Sequence, residues 1–460
     1  MTTWERLDWG PWEADDTVPQ QGPDEAVRAR KELPRTLVPV AGEGVAQSPV
    51  FDPAMKHHAR ALRPSEPRFA DARTGDGWHA ARRLALDHVL DAVGGGEWAD
   101  HLVLRGSVLL RAWYGAAARE PGDLDFVVQP RDWELPDPRS DRMLDGIARA
   151  AEELSLRDGR VRLDAGGAVS DSIWTYDRVP GRRLVIPWTA EGLPGGSVQL
   201  DFVFNEPLPV PAELTEVPRR GGSGEPLRLW AAGRGLSLAW KIMWLVSDSY
   251  PEGKDLYDAL LLAEDPATEL PLGLLREVFT GVDYGAYARF PVLPELIASS
   301  ASQAEWFEFA KDHPEIAGAP DRWFDGPPRA VVDRLVAALA PVYALDEDGD
   351  DSPAYRLRAA WFASGLPPFR EALASGGLDG LQQLLVEQHL HAAEAIVITR
   401  ELLGRRECDL ERAAGIVAEF RDGDHSPQVR ESRGRLGDPA EALVELRTAT
   451  MPERDRPAAG

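Results

Sequence analysis

The chain has 460 residues, with 51 Lys or Arg against 76 Asp or Glu, a formal net charge of −25. That length suits two or three domains with sizeable cores, while so acidic a total argues against a protein that coats nucleic acid nonspecifically. A single cysteine, Cys408, excludes an intramolecular disulfide and a cysteine-based zinc site, and no long uncharged apolar run predicts a membrane-spanning helix.

Residues 1–54 carry many Pro, Gly and acidic residues without a period, and are expected to form an irregular arm. The pattern from Met1 to Arg6 has no basic segment leading into an apolar one, so the cytoplasm is the expected compartment. A helix is expected over 78–93, closed by Gly94-Gly95-Gly96. A short strand at 101–104 leads through Arg105-Gly106-Ser107 into a helix over 108–114. Residues 123–128 read as a strand, with Asp123 and Asp125 on one face and Leu124 and Phe126 on the other. A helix over 138–155 follows, then strands at 160–164, 172–176, 183–187 and 197–204. In the last, Val198, Leu200, Phe202 and Phe204 share one face, and Gln199 and Asp201 share the other.

Residues 205–227 read as a loop, and helices are expected over 236–248 and 254–264. Beyond 271 the pattern is helical, at 328–340, 354–364, 378–403 and 408–420. The chain therefore reads as α/β: a small mixed sheet with flanking helices over 55–268, an all-α region over 269–420, and a charged tail over 421–460.

Two windows reverse the overall charge. Residues 55–83 and 219–241 are each +4, which leaves −33 for the rest, and both are places to look for a bound anion.

The strand, Gly106-Ser107 turn and helix start together present backbone N–H groups and a hydroxyl, which suits a phosphate. Two carboxylates at i and i+2 of the next strand point the same way, close enough to share hard divalent cations such as Mg²⁺. A phosphate cradle beside paired carboxylates is what two-metal nucleotidyl transfer requires. Alone, Asp123 and Asp125 would equally suit a solvated edge strand. The turn before them and Lys241 after them favour chemistry.

Gly106-Ser107 with Arg111, and Arg119 with Asp123-Leu-Asp125-Phe126, resemble the first two motifs of the nucleotidyltransferase toxins of the AbiEii/AbiGii type, within the polymerase-β-like superfamily. Ser237-Leu-Ala-Trp-Lys241-Ile resembles that family's lysine helix. Lys254-Asp255-Leu-Tyr-Asp258 resembles its last motif. The four motifs occur in the family's order and span about residues 80–265.

The resemblance implies that Gly106 and Ser107 hold the β- and γ-phosphates of an NTP, and that Asp123 and Asp125 bind Mg²⁺. It implies that Lys241 reaches the triphosphate. Asp201, Asp255 and Asp258 all remain open as the third acid, which would be both general base and metal ligand. Arg111 and Arg119 would contact phosphate or partner the carboxylates. The implied reaction is Mg²⁺-dependent transfer of NMP to an acceptor, RNA (notably tRNA) or protein, by a toxin that acts with a separate antitoxin. Two alternatives are transfer to a small molecule such as an antibiotic, and noncatalytic nucleotide binding. The intact carboxylates and lysine speak against the second.

Other features read as structural. His389 and His391, two apart on a helix, point to different faces. The acidic run 346–351 lacks the spacing of a calcium loop. Cys408 is expected to be buried and inert, and the tryptophans to pack in cores.

Overall fold

The computed structural model describes the chain except residues 1–3, 8, 9, 11, 13, 14, 59, 176–178, 222, 223, 319–325, 346–350, 424–433 and 448–460. All of the acidic run but Asp351, and most of the charged tail, therefore lie outside the described residues. The chain divides into two compact units, residues 1–267 with 300–332, and residues 268–299 with 333–460.

The first unit is α/β and holds an eight-stranded mixed sheet. Its N-terminal part carries α1 (Glu25–Lys31) and the short strands β1 (Val45–Ala46), β2 (Pro49–Phe51), β3 (Leu62–Pro64) and β4 (Arg68–Phe69). The arm expected to be irregular thus has structure. Its strands span only two or three residues apiece, too few to show a period, and a buried cluster that includes Trp4, Trp12, Leu37 and Leu62 holds the segment.

Helix α2 (Ala72–Gly94) follows, its start capped by the Asp71 side chain, which accepts from Thr74 N. Next come β5 (Leu102–Arg105), α3 (Ser107–Tyr114), β6 (Asp123–Val128) and α4 (Pro138–Asp158). Then β7 (Arg162–Leu163), β8 (Val169–Thr175), β9 (Val179–Thr189), β10 (Gly196–Val203), β11 (Glu213–Val217) and β12 (Leu227–Ala231) complete the sheet. Its order is β11-β12-β5-β6-β10-β9-β7, with β8 also paired to β9. The β6–β10 and β12–β5 pairs are parallel; the others are antiparallel.

Alternation makes the sheet two-faced. Leu124, Phe126, Leu184, Ile186, Leu200 and Phe202 join the main core with α2 and α4 residues such as Leu84, Val89, Met143 and Ile147. The opposite face carries the charged residues described below. Strand β11 falls wholly within the expected loop over 205–227, and β12 begins at its last residue. Strand β11 is a mostly solvent-facing edge, so its sequence has no apolar stripe, and the surrounding Pro and Gly residues suggest loop. Helices α5 (Arg234–Ser247) and α6 (Gly253–Glu264) follow, α5 burying nearly every side chain, and the later helix Trp306–Asp312 also belongs to the first unit.

The second unit is helical among its described residues, with helices at Leu272–Phe279, Pro294–Ala301, Pro353–Phe362, Pro367–Glu387, Ala392–Leu403, Leu410–Asp422 and Pro439–Leu446. The expected helix over 378–403 is two helices, separated where His389 takes a positive φ of 55°. Cys408 is buried, as expected. No helix among the described residues is long and apolar enough to cross a membrane.

Candidate active site

Pairing across the sheet builds the site. Arg105 of β5 lies opposite Asp125 of β6, Asp125 opposite Asp201 of β10, Asp201 opposite Arg183 of β9, and Arg183 opposite Asp171 of β8. Residues directly opposite one another share a face, so one row across five strands reads Arg-Asp-Asp-Arg-Asp. Asp123 stands two residues before Asp125 on the same face. Carboxylate oxygens of Asp123, Asp125 and Asp201 all lie within 4.8 Å of one another.

The electrostatics of this cluster suit a cation. Burial, and next the neighbouring Asp123 charge, lift the Asp125 carboxyl to about 7 against the pull of Arg105. Burial also raises Asp201, against the pull of Arg183. Asp123 is pushed up by burial too, but the charges of Lys254, Arg119, Arg183 and Arg63 hold it below the ordinary range. Three carboxylates this close do not all ionise without a counter-charge. Their all-oxygen donor set fits a hard divalent cation.

Gly106 links β5 to α3 at φ 82°, in the region that glycine alone enters readily. A Cβ there would lie 2.4 Å from Asp125 Oδ2. The next residue, Ser107, is 1% exposed, and its Oγ has no hydrogen-bond partner. An orphaned hydroxyl at a helix start fits an anionic oxygen. Gly106→Ala is expected to lower turnover by about 100-fold, because a displacement of about 1 Å at a reacting centre has that effect. Turnover of the purified variant checks this, and wild-type turnover would show that the close approach to Asp125 has no role.

Lys241, Asp255, Asp258 and Arg119 form a second group. Lys241 Nζ lies 2.7 Å from Asp255 Oδ1 and 2.9 Å from Asp258 Oδ2. Arg119 donates to both Asp258 oxygens, from Nε at 3.2 Å and from Nη2 at 3.2 Å. Burial opposes the Asp258 charge, but Arg119 and Lys241 outweigh it and hold the carboxyl down at about 2. Of the three acids open as the third carboxylate, the fold therefore sets Asp201 beside Asp123 and Asp125. It sets Asp255 and Asp258 on Lys241.

Lys241 and Arg119 both line the cavity that holds Asp123, Asp125, Asp201 and Gly106, whereas Arg111 does not. Arg111 donates to the Ala118 carbonyl at 2.5 Å.

Five further cations line the cavity: Arg63, Arg82, Arg105, Arg183 and Lys254. Lys254 pairs with Glu252 at 3.1 Å, and its charge is the largest of those that keep Asp123 ionised. The Lys254 position stands in the last motif, and Arg105 precedes Gly106 directly, so both had a local signal. Arg183 had none, because only strand pairing brings it to Asp201.

The two basic windows are largely paired internally. Arg63 meets Asp312, Arg82 meets Glu66, and Arg83 meets Glu120. Arg219 meets Asp91, Arg220 meets Glu120, and Arg234 meets Asp265. A window count sees the basic residues and misses the acids that the fold brings to them.

A family model described as nucleotidyl transferase AbiEii toxin, type IV toxin–antitoxin system, matches residues 88–326. No curated protein matches the chain. Among solved structures, the chain is similar to MenT4, a nucleotidyltransferase toxin from Mycobacterium tuberculosis H37Rv. That match has 21% identity over 64% of this chain and 95% of that one, with a TM-score of 0.38.

Proposed function

We propose, from the premise that the chain belongs to the AbiEii nucleotidyl transferase toxin family, that it transfers NMP from an NTP to a hydroxyl of RNA and releases pyrophosphate. The observation that carries this reading is the Asp123, Asp125 and Asp201 cluster beside the Gly106-Ser107 turn. In this reading the three carboxylates hold Mg²⁺. Bound there, Mg²⁺ neutralises triphosphate charge and lowers the pKa of the attacking hydroxyl.

The chain's own residues supply the rest. Backbone N–H groups at the start of α3 and the Ser107 hydroxyl accommodate the terminal phosphates. Lys241 spends two of its three N–H donors on Asp255 and Asp258, which orient the ammonium on the cavity wall with one N–H left for a phosphate oxygen. Lys254 adds positive charge on the same wall. Asp201, made more basic by burial, takes the proton of the acceptor hydroxyl at a carboxylate oxygen. Working beside a separate antitoxin in the cytoplasm follows from the same reading.

Incubation of the full chain with each α-labelled NTP, Mg²⁺, total RNA and protein tests this. Label in RNA, tRNA above all, is the expected result. Label only in protein or in a small molecule would replace RNA as the acceptor, and absence of transfer to any of them would overturn the reading.

A further inference from the structure

The family match begins at residue 88, yet residues of the preceding segment line the catalytic cavity, among them Leu37, Asp52, Arg63 and Glu66. Two contacts fasten that segment to the charged row of the sheet. Arg183 donates through Nε to Asp201 Oδ1 at 2.8 Å and through Nη2 to Asp201 Oδ2 at 2.8 Å. Its remaining terminal nitrogen, Nη1, donates to Asp52 Oδ2. At the next strand, Thr36 donates from N and Oγ1 to Asp171 Oδ2, at 2.7 and 2.8 Å.

The Arg183 and Asp52 side chains are each 7% exposed and that of Asp201 is 10%. A guanidinium is a rigid planar fork, so a third contact on Nη1 fixes the plane in which the other two nitrogens grip Asp201. Metal ligands depend on such outer partners for their orientation.

We infer that Asp52 and Arg183 are positioning residues, through which the N-terminal segment sets the orientation and cation affinity of Asp201. The inference rests on the reading of the carboxylate cluster as a divalent-cation site. Two effects of Asp52 act in the same direction. It steers the Arg183 fork, and its negative charge offsets the Arg183 charge that would otherwise repel a cation. Loss of the Asp52 charge therefore weakens cation binding on both counts. A plain structural ion pair would instead affect stability alone.

The test uses the full chain and Mn²⁺ alone, without NTP, with free Mn²⁺ read by electron paramagnetic resonance and folding followed by thermal melting. Asp125→Asn addresses the underlying site and is expected to lose most Mn²⁺ binding; wild-type affinity there would remove the site itself. Asp52→Asn is expected to weaken Mn²⁺ by about 10-fold, the lower range for loss of an outer partner of a metal ligand. Asp52→Glu, which keeps the charge and the acceptor oxygens, should recover most of that loss. In an Arg183→Gln background, Asp52→Asn should have a clearly smaller effect, because only the charge of Asp52 and not its hold on the Arg183 fork is then lost. Wild-type affinity in Asp52→Asn overturns the inference while leaving the cation site standing. An equal loss in both backgrounds also overturns it, because Asp52 would then act by charge alone and not through Arg183. Should Arg183→Gln fail to fold, Arg183→Lys takes its place. It keeps the charge and loses the fork, and is expected to reduce Mn²⁺ affinity by itself; unchanged affinity there counts against the inference.

Discussion

Asp125→Asn is expected to abolish NMP transfer and to leave the protein folded. The expected loss is at least about 10²–10³-fold, the range that follows removal of one group stabilising charge at a reacting centre. Folding should survive, because the wild-type carboxyl is a liability when no cation is bound. Its ordinary value is 3.8, and burial beside Asp123 lifts it to about 7 in the folded chain. A raised acid costs stability as pH climbs from about 4, and the cost is fully present above about 7. In chelator at pH 8, Asp125→Asn should thus melt at or above the wild-type temperature. Paired melting curves and a labelled-NTP assay check both halves. Full transfer by the variant would remove Asp125 from the site, and a collapsed melting curve would make its role structural.

Asp258→Ala is expected to do the reverse and to cost stability first. Asp258 is fully buried and holds Arg119 and Lys241 together. Removing it strands the Arg119 guanidinium without the carboxylate it grips, and breaking a buried ion pair in this way costs about 3–5 kcal/mol. Urea unfolding should show that loss. The pH dependence also has a definite sign. With the folded carboxyl down at about 2, its stabilisation is present above about 4 and is lost as pH falls from there towards 2. Wild-type stability should fall over that interval, and the Asp258→Ala variant should fall less. A variant as stable as wild type but devoid of transfer would move Asp258 from the scaffold to the chemistry.

The contrast between these carboxylates shows how far local sequence reaches. Asp123 and Asp125 were legible because a two-residue period in a strand puts them on one face, and because a Gly-Ser turn precedes them. The apolar stripes of β6 and β10 were legible for the same reason, as were α4, α5 and α6. The N-terminal segment was not, since strands of two or three residues carry no period and owe their conformation to what they pack against. Strand β11 escaped because an exposed edge strand needs no apolar face. The break near His389 escaped because helix-forming residues continue on both sides of it.

The sequence by itself determined the two faces of the central strands, the phosphate-suited turn, the lysine and carboxylates of the motifs, and the helical character of the C-terminal half. Each of these is a matter of spacing within about 20 residues. The tertiary structure decided which carboxylate completes the cluster. Asp201 is 76 residues beyond Asp125, and only the parallel pairing of β10 with β6 makes them neighbours. It also decided the meaning of the charge. The two basic windows are largely taken up by acids from distant segments, and Arg183 is bound to Asp201 and to Asp52, 131 residues before it in the chain. Ion pairs depend on distance in space, whereas a charge count along the chain records only order.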